Sequence, residues 1–307
     1  MTPWHRYPKL AYLAVFIAVC GHASSEFVSV LTGLGGPETS VWRFGLGGAG
    51  LVVMALCLPA SHDLITPLRQ DGARFVGLSA LGVMLSYLAF HWSLDFATVP
   101  QVATMVTTIP IFVAITAAIV DRTGLAGVKI VTGALAFLGV ALLVTDGYLG
   151  ELAGSERNLF GIGLVFFNAA TTAFYLVLMR PLVRGYGALR ATAISLMIGG
   201  VGLWFLVGMI WGNWVDFTRL TAEPKSVLAA IVVLALFNTT LTQFLWIGGL
   251  AAVPDMARGA SLFFLKPAIA AILAVAFLAE TLSVFQLLAM ALICSTVLIE
   301  MIVKTRI

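Results

Sequence analysis

Ten apolar runs, each long enough to cross a bilayer, follow one another along the 307 residues with little between them. They fall near residues 9–31, 39–59, 73–94, 98–120, 124–145, 159–180, 189–211, 226–249, 255–279 and 282–303. A transmembrane helix needs roughly 20 apolar residues to cover a hydrocarbon core of roughly 30 Å. Lipid offers no partner to backbone N–H and C=O groups, so runs of this length must close their hydrogen bonds internally, as helices. With 61% hydrophobic and 10% charged residues, the chain has more apolar surface than a soluble core can hide. No polar stretch is long enough to form a separate soluble domain.

Basic residues orient the helices. With the N-terminus inside, the inner segments hold Arg6, Lys9, Arg69, Arg74, Arg122, Lys129, Arg180, Arg184, Arg190, Arg258, Lys304 and Arg306. The outer loops hold Arg157, Arg219 and Lys225. The bias keeps its sign through every loop, so both termini are expected in the cytoplasm of a cell whose inner membrane the chain spans. A net charge of +3, dispersed between apolar runs, gives no reason to expect nucleic acid as a partner. Cys20, Cys57 and Cys294 are scattered through apolar runs without metal spacing, so neither a disulfide framework nor a metal is expected. Residues 9–21 followed by Gly-His-Ala-Ser-Ser have the outline of a cleaved leader. Removing them would break the repeat described next, so a retained first helix is expected.

The segment Trp92-Ser-Leu-Asp-Phe-Ala97-Thr-Val99-Pro100 aligns with Trp246-Ile-Gly-Gly-Leu-Ala251-Ala-Val253-Pro254. Each leads into a helix with a proline near its middle, Pro110 and Pro267. The likeness falls at the third-to-fourth turn of each set of five helices. Five is odd, so the second set enters the membrane inverted. The expected fold is therefore all-α, with residues 1–150 forming one five-helix repeat and 151–307 its inverted copy. Inverted repeats of this kind place a binding site near the midplane between halves, and they are a common build of secondary transporters.

Several segments resemble the drug/metabolite transporter superfamily, EamA type. They are Leu265-Lys-Pro267-Ala-Ile-Ala-Ala-Ile, Phe277-Leu-Ala-Glu280-Thr-Leu-Ser, Gln286 with the small-residue helix after it, and Trp42-Arg43-Phe44. The first half keeps a weaker version in Pro110, Asp121-Arg122, Gly133 and Gly139. The resemblance implies a transporter, with amino acids, drugs or sugar derivatives as substrate classes, and it favours export.

Ionisable residues at membrane depth are costly and mark candidate sites. Counting about 1.5 Å of rise per residue puts Lys266, His22, Asn168 and Asn238 near the midplane, together with Pro110 and Pro267. The two prolines are expected to free the carbonyls of Val106 and Phe263. Lys266 has two readings: it binds an anionic group of a substrate, or it braces a buried carboxylate. The same count places Glu26 and Asp95 in the outer third, too far away to be a permanent partner, which favours the first. Glu26 and Arg43 come out at matching depth on adjacent helices and are read as a structural ion pair, or else as an outer gate. His22 lies four residues from Glu26 on one helix face and is read as a core histidine or a proton carrier. Tyr87 with His91, Asn168 with Tyr175, and Gln243 with Trp246 recur at helical spacing, and Phe263 stands beside Lys266; all are candidate cavity walls. Gly45, Gly47, Gly48, Gly50, Gly199, Gly200 and Gly202 suit close helix contact in the second and seventh spans.

One cation, amides, hydroxyls and aromatic walls suit a zwitterionic amino acid with an aromatic or apolar side chain, carried without a cofactor by a monomer. Drugs and sugar or nucleotide derivatives are the alternative cargo. The sequence holds no nucleophile elbow, HExxH or P-loop, so an integral-membrane enzyme is the weakest reading. Accessibility reporters at residues 36, 154 and 219 are expected to read outside, and at 68, 186 and 305 inside. A report of "inside" from any of the first three overturns the ten-span topology.

Overall fold

The computed structural model describes residues 7–145, 147, 156–278 and 282–303. Arg6, Glu280, Lys304 and Arg306 lie outside the described residues, as do the side chains of Pro100, Arg157 and Phe277. Among the described residues there are ten helical spans and no strand. We number them α1 (Pro8–Leu31), α2 (Gly36–Cys57), α3 (Ile65–Ser93), α4 (Val99–Val106 and Ile109–Val120) and α5 (Gly127–Thr145). The second half comprises α6 (Glu156–Tyr186), α7 (Ala188–Trp211), α8 (Lys225–Ala252), α9 (Met256–Ser261, a 3-10 turn Leu262–Leu265, then Lys266–Leu278) and α10 (Val284–Ile302). Among the described residues, nine of them are long and apolar enough to cross a membrane, and α9, interrupted by its 3-10 turn, is the tenth. A single residue joins α6 to α7, and that reversal needs the left-handed backbone of Gly187 at φ 93°.

Helix starts follow from local chemistry. Thr98 and Gln101 form a reciprocal capping box at the head of α4, and Ser283 with Gln286 repeats it on α10. The Asp95 carboxylate accepts from the backbone N–H of Gly36 at 3.0 Å, placing negative charge at the positive end of α2.

The helices pair as a pseudo-two-fold requires. Helix α2 packs on α7 and α5 on α10, each the equivalent of the other. Helix α3 meets α6 and α7, just as α8 meets α1 and α2. The departures from regular helix also recur in both halves. A π-helical turn interrupts α3 at Ala80–Leu85 and α8 at Val233–Leu241. Helix α4 breaks at Thr107–Thr108 and α9 at its 3-10 turn, in both cases just ahead of the proline. Pro110 and Pro267 therefore sit in the first turn of a new segment, where a missing N–H costs nothing. The Phe263 carbonyl expected to be free is not: it accepts the N–H of Lys266. The protein is thus an all-α membrane protein of two inverted five-helix repeats.

The α2–α7 contact shows why glycines populate these two helices. A Cβ on Gly200 would lie 2.6 Å from the Phe44 carbonyl oxygen, and one on Gly48 would lie 3.0 Å from that of Leu196. The two backbones touch reciprocally, and a glycine at each point of contact allows it.

One buried ion pair ties the halves together, and it is not the pair the depth count selects. Lys266 of α9 donates to the Glu26 carboxylate of α1, with 5% of each side chain exposed. Ser25 Oγ also approaches Glu26, at 3.4 Å. Arg43 is turned away from Glu26 toward α3 and α8. The expected Glu26–Arg43 pair is therefore absent, and Lys266 has the acid partner that was not expected. The count failed because it assumed uniform rise. Helix α1 breaks at Ala23–Ser24, and the 3-10 turn ahead of Lys266 advances about 0.5 Å more per residue than α-helix. The lysine tail covers the remaining gap.

Two outcomes follow. Gly200→Ala is expected to lower thermal stability in detergent by about 1–3 kcal/mol, since the Phe44 backbone has to move. Gly163→Ala, where a Cβ meets nothing within 4 Å, should be close to neutral. Removing either charge of the Lys266–Glu26 pair (Glu26→Gln or Lys266→Met) is expected to cost about 3–5 kcal/mol. The double variant should lose much less than the sum; additive losses would show that the two side chains do not interact.

Candidate functional site

At mid-depth, where the broken helices meet, α1, α2, α3, α4, α6, α8 and α9 enclose a cavity of about 30 Å³. Its wall includes His22, Arg43, Tyr87, Asn168, Trp246, Phe263 and Lys266, seven of the residues singled out in the sequence. The volume suffices for one or two water molecules, so this conformation is closed around the space.

Arg43 is held entirely by neutral groups. Its Nε donates to Thr239 Oγ1 at 2.9 Å, and its Nη2 to the Asn238 carbonyl at 3.2 Å. Both acceptors lie in the π turn of α8. Its Nη1 is 3.2 Å from His91 Nε2. His91 Nδ1 lies 3.0 Å from the Tyr87 carbonyl, which can only accept. Nδ1 therefore carries the proton and Nε2 accepts from Arg43, so His91 is neutral. The guanidinium also packs over the Phe44 and Tyr87 rings at 5.4 and 5.7 Å. No carboxylate among the described residues lies within ion-pair distance of Arg43, although only 1% of it is exposed.

Two polar atoms of residues on the same wall have no hydrogen-bond partner among the described residues. Asn168 donates from Nδ2 to the Ser86 carbonyl and Ser86 Oγ, both at 2.9 Å. That fixes the amide and leaves its buried Oδ1 unpaired. His22 Nε2 is likewise buried and unpaired, with its ring edge-on to Trp246 and Phe263 at 5.6 Å from each. Unsatisfied buried polar atoms are rare and call for an explanation. A charged guanidinium, a free amide oxygen and a free imidazole nitrogen facing one space can take a ligand with both anionic and hydrogen-bonding groups.

The remaining sequence candidates stand behind this wall or apart from it. Gln243 donates to the Tyr87 hydroxyl at 2.5 Å and so orients that ring. Asn238 bridges the break in α1 by donating to the Gly21 carbonyl at 2.6 Å and to Ser24 Oγ at 3.0 Å. Tyr175 is turned to the α3–α7 contact, 2.9 Å from Ser195 Oγ, and does not line the cavity. Pro110 borders a different cavity, and Pro267 lines neither. Phe90 and Thr172, which line the wall, were missed in the sequence. Phe90 lies three residues from Tyr87 and Thr172 four from Asn168, so helical spacing alone could have included them.

On the side where α1 begins, a second, mixed cavity of about 360 Å³ lies between α4, α5, α6 and the α8–α9 turn. Ion pairs cross between the halves there: Lys129 to Asp255 at 2.6 Å and Arg180 to Asp121 at 3.9 Å. Burial favours the neutral form of Asp255. The hydrogen bonds from Lys129 and the Arg258 N–H, with both positive charges, outweigh it and hold the carboxyl below its usual range.

One solved crystal structure superposes with a TM-score of 0.78 at 17% identity, covering 96% of each chain. An "Uncharacterized transporter" of Clostridium kluyveri is 23% identical over 68% of this chain and 64% of its own. Another of the same description, from Archaeoglobus fulgidus, is 23% identical over 67% of this chain and 68% of its own. The chain thus matches about two thirds of the length of these curated relatives. The EamA-like transporter family matches twice, over residues 9–145 and 159–301, one match to each five-helix half. A match over both halves, on a fold of two inverted repeats, places this chain in the EamA-like transporter family.

Proposed function

We propose that the protein is a secondary transporter that carries amino acids with aromatic or apolar side chains by alternating access. One observation supports this above the others: the buried Arg43 guanidinium borders the mid-depth cavity with no carboxylate partner among the described residues. Lys266, which the sequence favours as the anionic anchor, is already neutralised by Glu26. The substrate carboxylate is therefore assigned to Arg43, whose planar fork suits bidentate binding. The substrate ammonium is assigned to Asn168 Oδ1, which lacks a donor. Tyr87, Phe90, Trp246 and Phe263 supply the apolar wall for the side chain.

The closed cavity is smaller than any amino acid, so loading requires the halves to move. The π turns of α3 and α8 and the breaks in α4 and α9 border the site and are the natural hinges. Ion pairs between the halves on the side of the termini would open and close with each cycle. We assign export from a cell inner membrane, with both termini cytoplasmic, on the basic-residue bias and the family resemblance.

Proteoliposome counterflow of amino acids tests the assignment. Wild-type protein is expected to exchange aromatic and branched amino acids. Arg43→Ala, purified to normal monodispersity, should lose about 10–100-fold in transport, the scale of one charged hydrogen-bonded contact of roughly 1.5–3 kcal/mol. Arg43→Lys should fall between, keeping charge without the fork. Normal transport by folded Arg43→Ala, or counterflow of quaternary-ammonium drugs with none of amino acids, would sink the reading.

A further inference from the structure

A cavity of about 330 Å³ lies between α4, α5, α9 and α10, apart from the mid-depth space. Ile111, Ile115, Leu125, Ile130, Phe264 and Val297 make up most of its apolar wall. Ile115, Leu125 and Ile130 are 38%, 37% and 58% exposed, so they belong to the lipid-facing surface. The mouth therefore opens sideways toward acyl chains rather than along the axis of the bundle.

Two charged side chains border this cavity, and among the described residues only one of them has a partner of opposite charge. Lys129 Nζ is committed to Asp255 at 2.6 Å. Glu300 is 5% exposed and accepts from Thr132 Oγ1 at 2.9 Å. No cation lies within ion-pair distance of it among the described residues. Arg258, the nearest basic residue of α9 to this end of α10, pairs with Asp255 at 4.0 Å and donates to the Val303 carbonyl at 2.6 Å. Glu300 stands two residues before the end of α10, near the headgroup level. A buried carboxylate with no cation partner among the described residues, at the end of an apolar cavity that opens toward lipid, has the charge and shape to receive an amphiphile of opposite sign.

We propose that this cavity binds a hydrophobic monovalent cation that enters from the bilayer. The positive centre sits against Glu300, and the apolar body lies among Ile111, Ile115 and Phe264. A phospholipid fits less well, because its phosphate would face the carboxylate. The walls come from α4 and α5 of one half and α9 and α10 of the other, so an occupant spans the contact between halves. Its charge preference is opposite to that of the Arg43 cavity.

The test is binding, independent of transport. Full-length protein in phosphatidylcholine nanodiscs is dialysed against radiolabelled tetraphenylphosphonium, with empty nanodiscs as background. Saturable binding is expected, at least tenfold tighter than for tetraphenylborate, which has the same shape and the opposite charge. Glu300→Gln should weaken it at least tenfold. Gly133→Phe provides a second route, since a Cβ there meets only Ile111 Cγ1 at 3.7 Å and the ring would fill the cavity. Unchanged binding in either folded variant, equal affinity for the borate, or no saturable binding by the wild type overturns the proposal.

Discussion

A charge taken into a membrane must be met by an opposite charge or by dipoles aimed at it, and this fold is organised around two cations met in different ways. Lys266 is matched by the carboxylate of Glu26. Arg43 is cradled by a hydroxyl, a backbone carbonyl and a neutral imidazole. The first arrangement is complete in itself and joins α1 to α9. The second engages three of the five N–H donors and leaves the positive charge unbalanced, so the space it faces favours anions. Two cations on one wall therefore carry different chemistry, and only their partners distinguish them.

The broken helices serve the same constraint. In lipid, a freed backbone group is tolerated only where protein surrounds it. The π turn of α8 presents Asn238 O and Thr239 Oγ1 to Arg43. The break in α1 is bridged by the Asn238 side chain. These two irregularities are thus sealed by polar contacts from a neighbouring helix, and the seals stand behind the cavity. Glycine contacts between α2 and α7 bring the two halves close enough for such short side chains to reach.

Much of this was legible in the sequence. Apolar run length, the Trp-to-Pro repeat around residues 92–100 and 246–254, and the placement of arginine and lysine gave ten spans in two halves. Helical spacing picked out Tyr87, Asn168, Trp246 and Phe263, which do share one space. The pairing of charges was not legible, because a ruler of constant rise cannot register the break at Ala23–Ser24 or the 3-10 turn before Lys266. The π turns were hidden as well, since an extra residue in a helical turn changes neither hydropathy nor composition. Tyr175 shows the same limit: it shares a face with Asn168 but lies two turns further on, where α7 covers it. Glu300 drew no notice because its environment is assembled from helices distant in sequence.

The Lys266–Glu26 pair has a consequence for how the two halves divide their work. Ile109 precedes Pro110 as Lys266 precedes Pro267, so the mirror position in the first half carries no charge. In a carrier that reverses its opening by letting each half adopt the shape of the other, perfect internal symmetry would make the inward and outward forms equal in energy. Here a buried ion pair braces the α1–α9 contact, whereas among the described residues α4–α6 has only the more exposed Arg180–Asp121 pair at 3.9 Å. The landscape is tilted, and each 1.4 kcal/mol of tilt shifts the resting ratio about tenfold. In the carrier proposed here, the lysine that stands in place of an isoleucine would set which way the empty protein rests.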